Sequence, residues 1–431
     1  MSKEENRKNF SKYVSQNILG MIGFSCYVLA DSYFISIVKG ADGLTALNLV
    51  MPLYSIIFSI GEMIGVGSAI RYAISKIKKD ADADDYFWNA LIWCILSSML
   101  FVFAGIFFSA DIMRVLGADE HIVAVGNNYT KIFMCFAPMF MCNYVTNAFV
   151  RNDGAPGIAM SATLFSSLFN IVFDYILMFP MNLGMEGAAL ATALSPIIGM
   201  GICSIHFFSK KSSVRLVVCK PSVRKLVAGS QLGVSAFVGE MSSAVITLAF
   251  NFVILKLAGN VGVAAYGVVA NIAIVTTAVF NGVAQGSQPL ISSCFGRGDK
   301  DGCTQLKRMG YTTAFVLAAV MYSILFIFAG QFVAVFNSEG SEMLRLYATE
   351  GVKLYFIGIF FAGINIVGGG AFSATEDAFK AAVVSVARGF VLILGAVFVM
   401  SALFGMTGVW LAYAVAEGIT TFIMLVMVLR V

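Results

Sequence analysis

Residues 161–180, SATLFSSLFNIVFDYILMFP, are apolar enough to cross a bilayer, yet they carry an aspartate, Asp174, well inside the run. Read as a helix, the stretch sets Thr163, Ser167, Asn170 and Asp174 at steps of four, three and four. That spacing gathers them on one face and leaves Leu, Phe, Ile and Val to the other. A carboxylate inside a hydrophobic span costs roughly 2–3 kcal/mol or more, so it faces a protein interior or a water-filled cavity. The stripe is either glue between helices or part of an ion or substrate site, and the rest of the chain bears on which.

Of the 431 residues 59% are hydrophobic and only 12% charged, where soluble domains carry about a quarter charged residues. The composition is that of an all-α integral membrane protein whose first partner is the lipid bilayer. A net charge of +4 is too small to suggest a nucleic-acid partner. The hydrophilic start, MSKEENRKNFSK, gives no sign of a cleavable leader ahead of the first span. The eight cysteines form no C-x-x-C pair and read as small polarizable filler. His121 and His206 are far apart and without ligand spacing, so no histidine-based metal site, cofactor site or catalytic constellation is expected.

Apolar runs of about 20 residues or more, broken by charged or Gly/Pro-marked loops, predict twelve transmembrane helices: 14–38, 44–70, 86–109, 122–149, 157–180, 185–208, 226–256, 262–292, 309–335, 346–372, 379–403 and 406–430. One set of loops and ends carries Lys3, Arg7, Lys8 and Lys12, then Arg71, Lys76, Lys78 and Lys79, then Arg151, the basic stretch 209–226, the cluster Arg297 to Arg308, Lys380 and Arg430. The opposite set has only Lys39, Arg114, Lys131, Lys256, Arg345 and Lys353. The positive-inside rule therefore predicts a multi-pass protein of the cell membrane with both termini in the cytoplasm.

The stretch 209–226 reads as the junction of two similar halves, an N-terminal lobe of residues 1–217 and a C-terminal lobe of 218–431. The segment GLTALNLVMPLYSIIFSIGEMIGVGS from Gly43 aligns without gaps to GVAAYGVVANIAIVTTAVFNGVAQGS from Gly262, and GMEGAALATA from Gly184 to GMTGVWLAYA from Gly405. Two six-helix lobes related by an internal repeat of the same orientation are a transporter architecture.

In the first span Asp31 sits about seven residues, or roughly 10 Å, below the outer edge. Asp174 and Thr192 reach about the same depth from the fifth and sixth spans, with Asn170 one turn deeper. Two carboxylates, an amide and a hydroxyl make a cluster suited to Na⁺, held by Asp31 and Asp174, or to a shared proton. The aligned positions of the second half are Phe250, about Val397, and Tyr413, so the cluster belongs to the first half alone. Elsewhere Ser167, Glu240, Asn271 and Gln285 are candidates to line a substrate cavity, and Glu62 is a further polar candidate. Arg388 and Glu417 lie at similar depths on consecutive spans and are read as a pair.

On these residues the chain resembles the multidrug and toxic compound extrusion (MATE) family, in particular its MepA-like and DinF-like branches. The resemblance lies in LADSYFISIVKGADGLTALNL, FNIVFDYILMFPMNLGMEGAALATALS, YGVVANIAIVTTAVFNGVAQGSQPLISSCFGRGD and TGVWLAYAVAEGIT, which together span both halves. It implies a V-shaped pair of lobes and export driven by an inward H⁺ or Na⁺ gradient. It also implies a cation site on Asp31, Asn170, Asp174 and Thr192 and a drug pocket that includes Tyr27 and Asn147. The second-lobe carboxylates of the NorM-like branch find only Glu240 here, without an acidic partner on the eighth span.

The expectation is a cation-coupled antiporter, not an enzyme, acting as a monomer on small amphipathic, cationic organic substrates by alternating access. The alternatives are a lipid-linked precursor flippase of the same superfamily or a narrow-specificity metabolite exporter. A transporter of the major facilitator type is disfavoured because its Gly- and Arg-rich loop is replaced by RYAISKIKKDADADD. An ATP-driven pump would need a G-x-x-x-x-G-K-[ST] loop, and a membrane-embedded enzyme a nucleophile–base pair at one depth.

Overall fold

The computed structural model describes residues 3–336 and 341–429; Arg430 and the last residue of the proposed C-terminal lobe lie outside the described residues. Among the described residues there is no strand, and nine helices are long and apolar enough to cross a membrane, ten when a bent pair counts as one span. Two of the nine are double. The helix Val223–Gly296 breaks at Gly259 and the run Ala378–Val428 at Gly405. The chain thus makes twelve spanning helices, as the hydropathy pattern predicts.

We number them α1 (Lys3–Gly40), α2 (Asp42–Lys78), α3 (Asp85–Val115), α4 (Glu120–Cys135 and Ala137–Asn152), α5 (Pro156–Met178) and α6 (Gly184–Phe207). The second set is α7 (223–258), α8 (260–296), α9 (Lys300–Ile327), α10 (Glu342–Ala374), α11 (378–404) and α12 (406–428). The helices outrun the hydropathy windows where polar residues still have a surface to bury against. Helix α1 starts at Lys3 because Asn6, Phe10, Val14 and Asn17, each a turn apart, form one buried stripe. Helix α4 bends by 46° at Phe136, where Pro138 lies in the first turn of its second segment and cannot donate to the preceding one. Residues 212–222, between α6 and α7, are neither helix nor strand. They are fastened by the Ser213 N–H to Asp153 Oδ2 (2.9 Å) and the Ser222 N–H to Asn89 Oδ1 (2.7 Å).

The internal repeat is physical as well as textual. Gly40 and Gly259 both turn at φ near 60°, a region costly for any residue with a Cβ, and Gly184 and Gly405 do the same at the start of α6 and α12. The alignment of the halves pairs Gly184 with Gly405, and Gly40 and Gly259 stand in the same register three residues ahead of its first segment. The buried apolar side chains form two large clusters. One is built mainly from residues 35–189 and the other mainly from 250–416. Phe10 and Val14 belong to the second cluster and Leu232 to the first, so the starts of α1 and α7 are exchanged between halves. The exchanged contacts are equivalent: a Cβ on Gly67 would meet the Gly229 carbonyl at 2.2 Å, and one on Gly286 the Val14 Cα at 2.8 Å. All these contacts lie at the end that carries the N-terminus, whereas toward the other end Tyr33, Ile37, Leu248 and Phe252 are exposed.

Candidate functional site

The polar face of α5 is buried, with Ser167, Asn170 and Asp174 inward and Phe165, Leu168, Val172 and Tyr175 outward and exposed. It packs on α1 and α6, which bring Asp31 and Thr192 beside it. The four expected residues are therefore sealed from solvent: Asp31 is 6% exposed, Asp174 and Asn170 0%, Thr192 2%. With the Asn170 amide turned so that its nitrogen donates to Asp174 Oδ2 (3.1 Å), its oxygen accepts from the Thr192 hydroxyl (3.1 Å) and the Thr192 N–H (3.2 Å). Asn170 thereby orients Asp174 against α6. One oxygen of each carboxylate, Asp31 Oδ1 and Asp174 Oδ1, is buried with no hydrogen-bond partner among the described residues. The two carboxylates lie near enough to act on one another electrostatically. A buried acceptor without a donor is costly, and a proton or a bound cation would satisfy both oxygens. The donor set, two carboxylates with an amide and a hydroxyl, is all oxygen-bearing and fits a hard monovalent cation. No cluster of three or more His, Cys, Asp or Glu that would hold a metal is found among the described residues.

At two of the three aligned positions in the second half there are rings, and the third, about Val397, is a buried aliphatic side chain. Phe250 stacks on Tyr266 (5.0 Å between centroids) and Tyr413 on Tyr355 (4.3 Å), all four buried. The halves share a backbone plan and fill its centre with opposite chemistry.

A cavity of about 1750 Å³, counting its open mouth, lies against this cluster and is lined from both halves. Tyr27, Asn147, Ser167, Glu240 and Gln285 line it, as the sequence leads one to expect. Asn271 does not: it lies between one and two turns along α8 from the nearest lining residue on that helix, Thr277, roughly 9 Å away along the axis. The Asn147 amide is already engaged, donating to the Ala159 carbonyl (3.1 Å) and to Thr163 Oγ1 (3.2 Å), so it ties α4 to α5 at the cavity wall.

Arg151, assigned from its position to a loop, is instead buried (4% exposed) on the cavity wall. Its guanidinium donates to Gln285 Oε1 (2.6 Å), and Gln285 Nε2 donates to Glu62 Oε1 (3.2 Å). This polar chain links α4, α8 and α2 across the two halves. The sequence signal was present, since Arg151 follows α4's apolar run by a single position; its partner is 134 residues away and no local pattern announces it. Arg388 and Glu417 do pair, at 2.7 Å, and Glu417 also accepts from the Asn365 amide (2.7 Å). Arg388 sits in a single π-turn, Ala387–Val391, that interrupts α11. Such a bulge is a common device for aiming a side chain inward.

Twelve helices in two repeated sets, with carboxylate oxygens buried and unpartnered among the described residues of the first set and a cavity shared by both, define a membrane transporter rather than a channel or an enzyme. The MatE family model matches residues 17–176 and 236–399, and the chain belongs to that family. It is 27% identical over 414 residues, 93% of this chain and 89% of the relative, to the multidrug export protein MepA of Staphylococcus aureus strain MRSA252. The MepA of Staphylococcus saprophyticus is 26% identical over 409 residues, with the same coverage. Among solved structures, a multidrug resistance MATE family transporter of the MOP superfamily in an outward-facing conformation superposes with a TM-score of 0.92 at 20% identity, covering 99% of this chain and 96% of that one. A MOP superfamily transporter from Pyrococcus furiosus, whose binding pocket is described as reversed in polarity with a suggested different function, does so with 0.90 at 20% identity, covering 98% and 95%. These last two likenesses establish the fold.

Proposed function

We propose that the chain is a secondary antiporter of the cell membrane that exports amphipathic, cationic organic compounds in exchange for H⁺ or Na⁺. The lobes divide near residue 217, and both termini lie in the cytoplasm. The observation that carries the reading is the pair of buried, unpartnered oxygens on Asp31 and Asp174 beside a cavity that both halves line. Binding of the cation to the pair relieves a buried charge and repacks α1, α5 and α6, which weakens the hold on substrate. Release of the cation toward the cytoplasm restores it. Coupling of this kind requires that cation and substrate differ in affinity for the two states. A cationic substrate suits the wall because Glu62 and Glu240 are in no ion pair among the described residues and stand against the single guanidinium of Arg151, while Arg388 is taken up by Glu417. The MepA relatives, named as multidrug export proteins, point the same way.

A second reading, a flippase for lipid-linked precursors, would use Arg151 and Arg388 to hold a pyrophosphate. Both guanidiniums are already engaged by Gln285 and Glu417, so the antiporter is the better account.

The test is ethidium efflux from proteoliposomes under separately imposed pH and Na⁺ gradients. Wild type is expected to respond to one of them and Asp174→Asn to neither. Efflux unchanged by the substitution would refute the coupling site. Absence of ethidium efflux from folded wild type would move the reading to an exporter of narrow specificity or to a flippase.

A further inference from the structure

Apart from the central cavity, the molecule has an open groove of about 970 Å³ between α1 and α9, at the end that carries the N-terminus. Its mouth is formed by Arg7 and Arg308, both exposed and neither in an ion pair among the described residues. Ser11 and Thr312 follow, one turn further along their helices. Phe10 and Met309 line the groove beside the arginines, and deeper in Val14, Ile18 and Leu317 are joined by Ser15 and Thr313. From Arg7 to Ile18 the groove descends about 16 Å along α1, so its charge lies at the end of the span and its apolar part within the span. The two helices are pinned just outside the mouth, where the Asn6 amide donates to Gln305 Oε1 (3.3 Å) and the Gln305 amide to the Lys3 carbonyl (3.0 Å). These hydrogen bonds tie α1 to α9 beside the mouth. Over residues 3–12 and 300–308 basic residues outnumber acidic ones seven to three.

From the two arginines at the mouth and the apolar side chains below them we infer that the groove binds one anionic phospholipid, its phosphate between Arg7 and Arg308 and an acyl chain along Val14, Ile18 and Leu317. Charge complementarity selects the headgroup, because unpaired arginines at the membrane surface attract anionic lipid. A free phosphate at the arginines would leave Val14, Ile18 and Leu317 below it uncovered. Since α1 and α9 belong to opposite halves, a lipid seated here bridges them at the end where they touch.

The test is native mass spectrometry of the purified full-length protein in neutral detergent, titrated with phosphatidylglycerol, with phosphatidylcholine and with inorganic phosphate. Wild type is expected to retain one phosphatidylglycerol and to ignore the other two. Each arginine contributes about a fivefold factor, so Arg7→Ala with Arg308→Ala is expected to weaken retention by about thirtyfold. The corresponding double lysine variant should keep most of it. Thr312→Trp, at an exposed position, blocks the groove while leaving both arginines in place, and is expected to lose the lipid too. Phosphatidylglycerol retained undiminished by the double alanine variant or by Thr312→Trp would overturn the proposal. Equal retention of phosphatidylcholine would do the same, as would displacement of the lipid by phosphate alone.

Discussion

Asp174 illustrates how far one residue can be read from its neighbours. Its spacing from Asn170, Ser167 and Thr163 places them all on one face of a helix, and the structure buries all but Thr163, which is half-buried on the cavity wall. That inference needed only the 3.6-residue period and the cost of a charge in lipid. Arg151 and Asn271 resisted because their surroundings are set by distant partners. Arg151 finds its acceptor in Gln285 of the other half, and Asn271 lies along α8 outside the cavity lining although it is the same residue type as the lining Asn281. The Arg388–Glu417 pair was legible from depth alone and carries its own consequence. Removing one partner leaves a buried charge, at a cost of about 3–5 kcal/mol, whereas removing both for apolar groups of similar size is close to neutral. In detergent-solubilised protein, Arg388→Met is expected to lower the melting temperature more than the Arg388→Met, Glu417→Leu double variant does. A double variant as unstable as the single would show that the pair is not the source of the effect.

At the scale of the helix, hydropathy located the spans and missed their ends. Helix α1 runs eleven residues before its apolar window and α9 nine, because buried polar groups such as Asn6 do not register as hydrophobic. The bend in α4 follows from Pro138 but its angle of 46° does not, since that depends on what the two segments pack against. The aligned glycines were visible in the sequence as coincidences and acquire causes in the structure. Gly286 is needed because α8 runs so close to α1 that a Cβ would sit 2.8 Å from Val14 Cα and 2.9 Å from the Tyr13 carbonyl, atoms that no rotamer change can move. Gly286→Ala is therefore expected to destabilise the protein by about 1–3 kcal/mol. Gly201→Ala is expected to be neutral or stabilising, because its added Cβ meets nothing within 4 Å and helix propensity gains by up to about 1 kcal/mol. Thermal melts of the two variants side by side decide this, and equal melting temperatures would contradict the close-approach account.

The whole molecule is two copies of one plan that have diverged where it matters. The first half places Asp31 and Asp174 at its centre, where the second half has Phe250 and about Val397, so the proposed coupling chemistry would lie on one side of a shared cavity. The repeat was legible because backbone demands, glycine above all, preserve a pattern in sequence. That Asp31 and Asp174 are buried in the first half was legible from their place inside apolar spans. The exchange of helix starts between halves was not, because contacts between residues 14 and 286 leave no local trace. The Arg151–Gln285–Glu62 chain crosses the halves on the cavity wall and is expected to hold them together at the N-terminal end. Gln285→Leu removes that link and leaves Arg151 short of its acceptor. With the exposed Cys26 blocked, a cysteine placed at Asn17 is then expected to react faster with an impermeant thiol reagent from the N-terminal side. An unchanged rate would show that the chain does not hold that end closed.

The claim on which the rest depends is that Asp31 and Asp174 convert cation occupancy into loss of substrate affinity. Its most direct measurement is equilibrium binding of a lipophilic cation such as tetraphenylphosphonium to the purified protein, titrated against pH and against Na⁺. In wild type, affinity is expected to fall as the coupling cation rises. With Asp31→Asn and Asp174→Asn, affinity is expected to become independent of it. A cation dependence that survives both substitutions unchanged would contradict the claim and place the coupling elsewhere in the molecule.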